Sequence, residues 1–222
     1  MDIRPDSPVQ DPRTLSVPPA SLRTERLVLR PFRADDLAPF AALNADPEVM
    51  RHFPETLSRA ASDALVDRIM AHYDRHGFTF WAVEVPGTAP FVGMVGLLVT
   101  AFEAHFTPCV EVGWRLARPW WGRGYATEAA RACLSFGFGT LGLAEIVALT
   151  RPDNRASRAV MERLGMARNP ADDFDHPRLG PDHPMRRHVL YRLRAGDHRA
   201  GGHLSGGHLS GGHRAGGPAA GG

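Results

Sequence analysis

The residues Val110-Glu111-Val112-Gly113-Trp114-Arg115-Leu116 alternate in the manner of a strand, and Glu111 points away from the face that Val110 and Val112 bury. Downstream, Ala126, Ala129, Ala130, Cys133 and Leu134 recur at helical spacing, so an amphipathic helix opens near Ala126-Thr127-Glu128. Upstream, Asp35-Asp36 can cap a helix reaching about Ala45. Ser58 can cap another, whose apolar positions Ala61, Leu65, Ile69 and Tyr73 keep helical spacing until Gly77 ends it. Residues 78–85 and 91–100 read as strands joined in a hairpin by Pro86-Gly87-Thr88-Ala89-Pro90. After the central helix the pattern predicts a strand over 145–150, a helix over about 156–164 and a final strand pair ending near Arg192. This alternation predicts an α/β fold around a mixed sheet.

Both ends depart from the pattern. Residues 1–20 carry Pro5, Pro8, Pro12, Pro18 and Pro19 with little apolar periodicity and read as a disordered lead-in. From His198 the chain repeats every five residues, His-Arg-Ala-Gly-Gly and His-Leu-Ser-Gly-Gly among them. Residues 195–222 are therefore expected to be a disordered Gly/His-rich tail. Its spaced histidines could bind a divalent metal loosely, but flexible glycine spacers favour a solvated tail. One domain over 21–194 remains, and 222 residues with 43% hydrophobic content suffice for one sizeable core.

Composition excludes several function classes. No apolar run reaches about 18 residues and Met1-Asp2-Ile3-Arg4-Pro5 lacks a signal-peptide core, so no membrane association and a cytoplasmic location are expected. A formal charge of +2 is too small to imply nucleic-acid binding, although all 26 basic residues are arginine. Cys109, on a predicted strand, and Cys133, on a buried helix face, show no metal-ligand spacing and read as inert thiols. Trp81, Trp114 and Phe80 read as core aromatics.

The candidate chemistry lies between the alternating strand and the helix. Glycines at 122 and 124 let the backbone turn tightly with N–H groups inward, and the helix that follows adds unpaired first-turn donors and a positive dipole end. That is a phosphate-holding arrangement, although a plain turn uses glycine as well. A second segment runs from Leu149-Thr150-Arg151-Pro152-Asp153-Asn154-Arg155-Ala156-Ser157 to Leu164-Gly165-Met166. Together with Gly122-Arg123-Gly124-Tyr125-Ala126-Thr127-Glu128-Ala129, it resembles the GNAT superfamily of acyl-CoA-dependent N-acetyltransferases, specifically its RimJ/RimL-like branch. The opening Leu22-Arg23-Thr24-Glu25-Arg26-Leu27-Val28-Leu29-Arg30-Pro31-Phe32 and the late His188-Val189-Leu190-Tyr191-Arg192-Leu193 agree. The resemblance thus covers about residues 22–194 in family order.

The resemblance implies a mixed, mostly antiparallel central sheet with helices on both faces, acetyl-CoA as cosubstrate, and no required metal. It implies direct acetyl transfer to a primary amine, on a protein N-terminus or a small molecule, by a monomer or homodimer. The loop Gly122, Arg123, Gly124, Tyr125, Ala126 and Thr127 would hold the pyrophosphate. The strand around Val112, Gly113 and Trp114, splayed from its neighbour, would pair with pantetheine amides and offer a main-chain oxyanion donor. Where the family's usual Gln or Arg precedes the first glycine, this chain has Pro119, with Arg118 one place early and able to reach a phosphate. Asn154 would cap the following helix or bond the pantetheine arm. The family's Tyr seven residues beyond that Asn is Met161 here, which cannot donate a proton; RimL-like members lack that Tyr too, and the resemblance to them implies a Ser three residues after the Asn, Ser157, as the acid for the thiolate, its other reading being a first-turn hydroxyl bonding the backbone.

Glu111 could accept the amine proton through a water, with the largest loss on its removal expected at low pH, or be an exposed strand carboxylate without a role. Asp175 and His176, in Asp172-Asp173-Phe174-Asp175-His176-Pro177 with His183 and His188 beyond, would border the acceptor site, although a loop histidine is often plain surface. Pro119 and Met161 keep a second class open, a non-catalytic acyl-CoA-binding module. A Walker-type nucleotide enzyme is excluded, because the chain has no lysine.

Overall fold

The computed structural model describes residues 21–202. The lead-in over 1–20 and the repeats beyond 202 lie outside the described residues. Chain order gives strands β1 (Leu22–Arg23), β2 (Val28–Arg30), β3 (Phe80–Val85), β4 (Ala89–Val99), β5 (Val110–Leu116), β6 (Glu145–Thr150), β7 (Ala167–Arg168), β8 (Phe174–Asp175) and β9 (Arg187–Arg194). Their spatial order is β1-β2-β3-β4-β5-β6-β9-β7, with β8 added on β9. Every pairing is antiparallel except β5 with β6. The helices are α1 (Leu37–Ala45), α2 (Pro47–Met50), α3 (Arg59–His76), α4 (Tyr125–Gly139), α5 (Arg155–Arg163) and α6 (Ala195–Gly202). Among the described residues no helix is long and apolar enough to cross a membrane.

Two hydrophobic layers sandwich the sheet. On one face α4 buries Ala129, Ala130, Cys133, Leu134 and Phe136 against Val95, Leu97, Val112, Leu116 and Ile146. On the other, Phe40 and Leu43 of α1 and Val66 and Ile69 of α3 meet Ala82 and Met94. Each large side chain so buried contributes roughly 1.5–3 kcal/mol. The mixed, mostly antiparallel sheet with helices on both faces is thus the architecture expected from the sequence. Ser58 caps α3 through Ala61 N–H, and the chain leaves that helix at Gly77, φ 75°. The deep burial of Cys133 pushes its thiol pKa well up, and burial raises that of Cys109 too, although Cys109 lies just before β5 rather than on it.

Two expectations are corrected. Asp36 immediately precedes α1, yet its carboxylate makes no cap bond to that helix. Instead it takes a two-pronged grip on Arg30, at 2.7 and 2.9 Å, and accepts Arg33 N–H. Arg30 also donates to Glu84 at 2.8 Å, so one buried guanidinium ties β2, β3 and the entry to α1. The hydrogen bonds that Arg30 donates to Asp36 outweigh desolvation and raise the Arg30 pKa above its usual value. The disorder expected from residue 195 also does not begin there. Ala195 N–H donates to Ala144 C=O and the chain continues as α6, where His198 lies 5.0 Å from Phe138 and 3.3 Å from Ser135 Oγ. Composition alone suggested too little burial for order there, but the start of the tail borrows a surface from α4.

Removing one partner of a buried ion pair strands the other. Asp36→Ala is expected to destabilise the fold by about 3–5 kcal/mol in denaturant unfolding. Asp63→Ala, which breaks the exposed Arg59–Asp63 pair on α3, is expected to cost no more than about 0.5 kcal/mol.

Candidate active site

Strands β4 and β5 pair along seven residues, from Gly93↔Leu116 to Val99↔Val110. Strands β5 and β6 pair at one, Glu111↔Val147, and then diverge. Backbone groups on the open edge of β5 beyond that point have no strand to meet, and they line a wedge at the carboxyl ends of two parallel strands. Each strand leads into a helix whose N-terminus faces the wedge, α4 after β5 and α5 after β6. The wedge opens into a cleft of about 1410 Å³. Single-ligand pockets run to roughly 300–1,000 Å³, so this one has room for two.

The α4 end leaves its backbone donors open. Gly122 and Gly124 have φ of 73° and 81°, a left-handed backbone in which any branched side chain is strained. Gly124 is the N-cap and supplies no side-chain acceptor, so the first amides of α4 are left for a ligand. The only carboxylate in that first turn is held aside. Glu128 accepts from Thr24 Oγ1 at 2.6 Å, Arg26 N–H at 2.9 Å and Arg26 Nε at 2.6 Å, and these bonds hold its pKa down against the opposing effect of burial.

The α5 end is occupied by its own side chains. Asn154 Oδ1 accepts Ser157 N–H at 3.2 Å, while its Nδ2 donates to Thr150 Oγ1 at 2.9 Å and to Ser157 Oγ at 3.1 Å. Asn154 is therefore a helix cap with both amide hydrogens used. Ser157 Oγ accepts a hydrogen and makes no backbone bond, so its own O–H is directed by whatever enters the cleft. Met161 sits in the core, 2% exposed.

On β5 the residues 111, 113 and 115 face the α1–α3 side, across from Leu98, Gly96 and Met94 of β4. Phe80 packs over Gly113, where a Cβ would come within 3.0 Å of the ring. Glu111 lines the cleft with no hydrogen-bond partner among the described residues, and burial pushes its pKa up to about 8. Arg115 also lines the cleft, and burial lowers its pKa to about 10. Its Nη1 donates to Asn44 and its guanidinium lies 4.1 Å from the Phe53 ring centroid.

Of the residues singled out from the sequence, the cleft brings together Glu111, Val112, Gly113, Trp114, Gly122, Gly124, Tyr125, Ala126, Thr127, Asn154, Ser157 and His176. Arg118, Arg123 and Asp175 do not line it. Arg118 is drawn toward Asp46 at 3.9 Å, Arg123 lies over Trp120, and Asp175 is engaged by Arg186 and Arg187. Phe80 and Trp114, read as core, are cleft walls, whereas Trp81 is core. His188 joins His176 at 5.1 Å between ring centroids; burial lowers both pKa values, and His188 Nδ1 donates to Arg186 C=O. His183 lies off the cleft and accepts Met185 N–H. Sequence reading missed Arg115, Arg51, His52 and Phe53. For Arg115 a signal existed, since strand alternation puts it on the side of Glu111.

Comparison with known proteins follows the same segment. Residues 26–167 match the family model described as an acetyltransferase (GNAT) domain. An uncharacterised Bacillus subtilis protein, YkkB, is 34% identical over 146 residues, covering 65% of this chain and 84% of that protein. The Aspergillus fumigatus FsC-acetyl coenzyme A-N(2)-transacetylase is 33% identical over 162 residues, covering 66% of this chain and 64% of the enzyme. Mycobacterium smegmatis RimJ, solved with CoA-disulfide, superposes with a TM-score of 0.60 at 23% identity over 79% of this chain and 89% of that one.

The raised pKa of Glu111 has a thermodynamic consequence. The folded protein keeps this proton up to about pH 8 while the unfolded chain releases it near 4.5, so the penalty for the buried charge grows as pH rises between those values. Glu111→Gln removes that penalty. It is expected to match the wild type near pH 5 and to gain about 1–3 kcal/mol over it by about pH 8.5, in paired denaturant melts; the range lies below full conversion of the shift because water reaches the carboxyl from the cleft.

Proposed function

The chain belongs to the GNAT acetyltransferase family, and we propose that it moves an acetyl group from acetyl-CoA directly to a primary amine, on a protein N-terminus or a small molecule. The observation that carries this reading is the wedge that opens from the Glu111↔Val147 pair between two helix N-termini. Acetyl-CoA fits it piece by piece. The pyrophosphate meets the amides from Gly122 to Thr127, and the pantetheine amides lie along the open edge of β5. A main-chain N–H near Val112 to Trp114 faces the thioester oxygen as it gains charge. Support for the RimJ/RimL-like branch is the shared fold with RimJ, whose solved complex holds a CoA derivative.

Glu111 takes the amine proton through a water, the nitrogen attacks the thioester carbon, the C–S bond breaks, and Ser157 relays a proton to the departing sulfur, giving its O–H proton as it takes one from water in the cleft. Asn154 positions Ser157 by donating to its oxygen, which leaves the serine O–H available to a group in the cleft. Val112, Gly113 and Trp114 act through backbone, and His176 borders the acceptor. Arg118 and Arg123 flank the phosphate loop and would have to leave Asp46 and Trp120 to meet the phosphates, and Asp175 is next to His176 in the chain. A carboxyl with a pKa of about 8 is neutral at low pH and cannot act as a base there. The loss on removing it is therefore largest near and above pH 8, opposite to the expectation for an ordinary carboxylate.

The test is thiol release from acetyl-CoA against a panel of peptides and amines. Wild type is expected to release thiol with at least one amine, at a rate that rises with pH toward about 8. Ser157→Ala should lower kcat by roughly 10²–10⁴-fold with little change in acetyl-CoA affinity, and Glu111→Gln should flatten the pH profile. Acetyl-CoA binding without thiol release from any amine would mark a binding module instead.

A further inference from the structure

Arg115 raises a problem that acetyl transfer does not solve. Its guanidinium is largely withdrawn from water on the α1–α3 side of β5, and among the described residues no carboxylate pairs with it. Its Nε is buried with no hydrogen-bond partner at all. The contacts it has are neutral ones: Nη1 donates to Asn44 Oδ1, Asn44 in turn donates to Ser62 Oγ at 2.9 Å, and Phe53 covers the guanidinium plane. These contacts hold an arginine in place and leave its charge unanswered. Desolvated cations in proteins are otherwise paired, because the cost of withdrawing the charge from water is recovered by an anion.

The missing anion is not supplied by Glu111. Among the described residues no ion pair joins the two: their Cα atoms lie four residues apart on one face of β5, roughly 13 Å at strand rise, with the Glu111 carboxyl leaning toward Gly113 and Phe80 packed over that glycine. The phosphate-holding amides belong to the turn beyond the strand, at Gly122 to Thr127, whereas Arg115 faces the layer formed by α1 and α3. Cleft space between Glu111 and Arg115 is walled by Phe80, Met94 and Leu98, so a ligand lying along it meets an acid at one end, apolar surface in the middle and a cation at the other.

We infer that the acceptor is an anionic amine: a primary amine carrying a carboxylate several bonds away, with the amine beside Glu111 and the carboxylate on Arg115. The inference rests on the acetyl-transfer reading of this cleft and adds the substrate class. An N-terminal peptide segment with an aspartate or glutamate near its start has this form, as does an ω-amino acid. Arg115 is then a specificity residue. A guanidinium suits this role because its planar fork can offer a carboxylate the buried Nε–H together with a second N–H.

The experiment compares matched acceptors that differ by one charge: ε-aminocaproate with its amide, and peptides bearing Asp with the same peptides bearing Asn. Wild type is expected to prefer the acid by about 30-fold or more in kcat/KM, mainly through KM, the low end for losing one partner of a desolvated charge pair. Arg115→Gln should erase the preference and Arg115→Lys keep part of it, with acetyl-CoA affinity unchanged in both. A purely structural arginine would slow acid and amide alike. Equal use of acids and amides by wild type, or a preference that survives Arg115→Gln, overturns the inference, as does a comparable loss of acetyl-CoA affinity in the variant, which would give Arg115 to a cofactor phosphate. Should Arg115→Gln not fold, the wild-type comparison and Arg115→Lys decide. Should no amine turn over, the acetyl-transfer reading fails separately, and calorimetric binding of ε-aminocaproate against its amide to the CoA-loaded protein still tests the anion site.

Discussion

Two parallel strands that meet at one residue pair and then part cannot satisfy the backbone groups that face the gap. In this chain the gap between β5 and β6 is set by what lies on either side of it. Strand β5 is held along seven residues by β4 and β6 along six by β9, so each strand is fixed by its outer neighbour and neither is free to close the wedge. The helices that follow then start where the strands are furthest apart. A helix N-terminus with open amides, a line of open peptide groups and a serine held by the cap of α5 arrive at one place because of this one failure of pairing.

The electrostatics follow from the same geometry. Residues of β5 on the α1–α3 side are covered by helices but border the cleft, so their charges are withdrawn from water without being given partners. The result is two side chains displaced toward neutrality from opposite directions, with Glu111 at about 8 and Arg115 at about 10. A carboxyl at about 8 suits removing a proton from an amine near neutral pH, whereas an ordinary carboxylate is too weak a base. By contrast, Glu128 and Asp36, which have structural duties, are surrounded by donors.

What was legible in the sequence is what local pattern controls. The alternation of β5, the caps of α3 and α5 and the glycine turn before α4 are each written within a few residues, and the structure reproduces them. Roles that depend on distant partners were not legible. Arg118 and Asp175 looked available until Asp46, Arg186 and Arg187 appeared beside them, and Asp36 was drawn from its cap by Arg30. The start of α6 was obscured by a glycine-rich composition, since its support comes from Phe138 and Ser135. The stretch of cleft wall formed by Arg51, His52, Phe53 and Arg115 joins segments more than sixty positions apart, and no motif marks the first three.

The central claim is that the open edge of β5 and the first turn of α4 are binding surfaces for acetyl-CoA. Backbone hydrogen exchange with and without acetyl-CoA tests it directly, because exposed amides that acquire acceptors exchange more slowly. The account predicts protection concentrated in residues 112–114 and 122–127, with β1 to β3 unchanged. Acetyl-CoA that binds while leaving both segments unprotected, or that protects a surface outside the wedge, would contradict it.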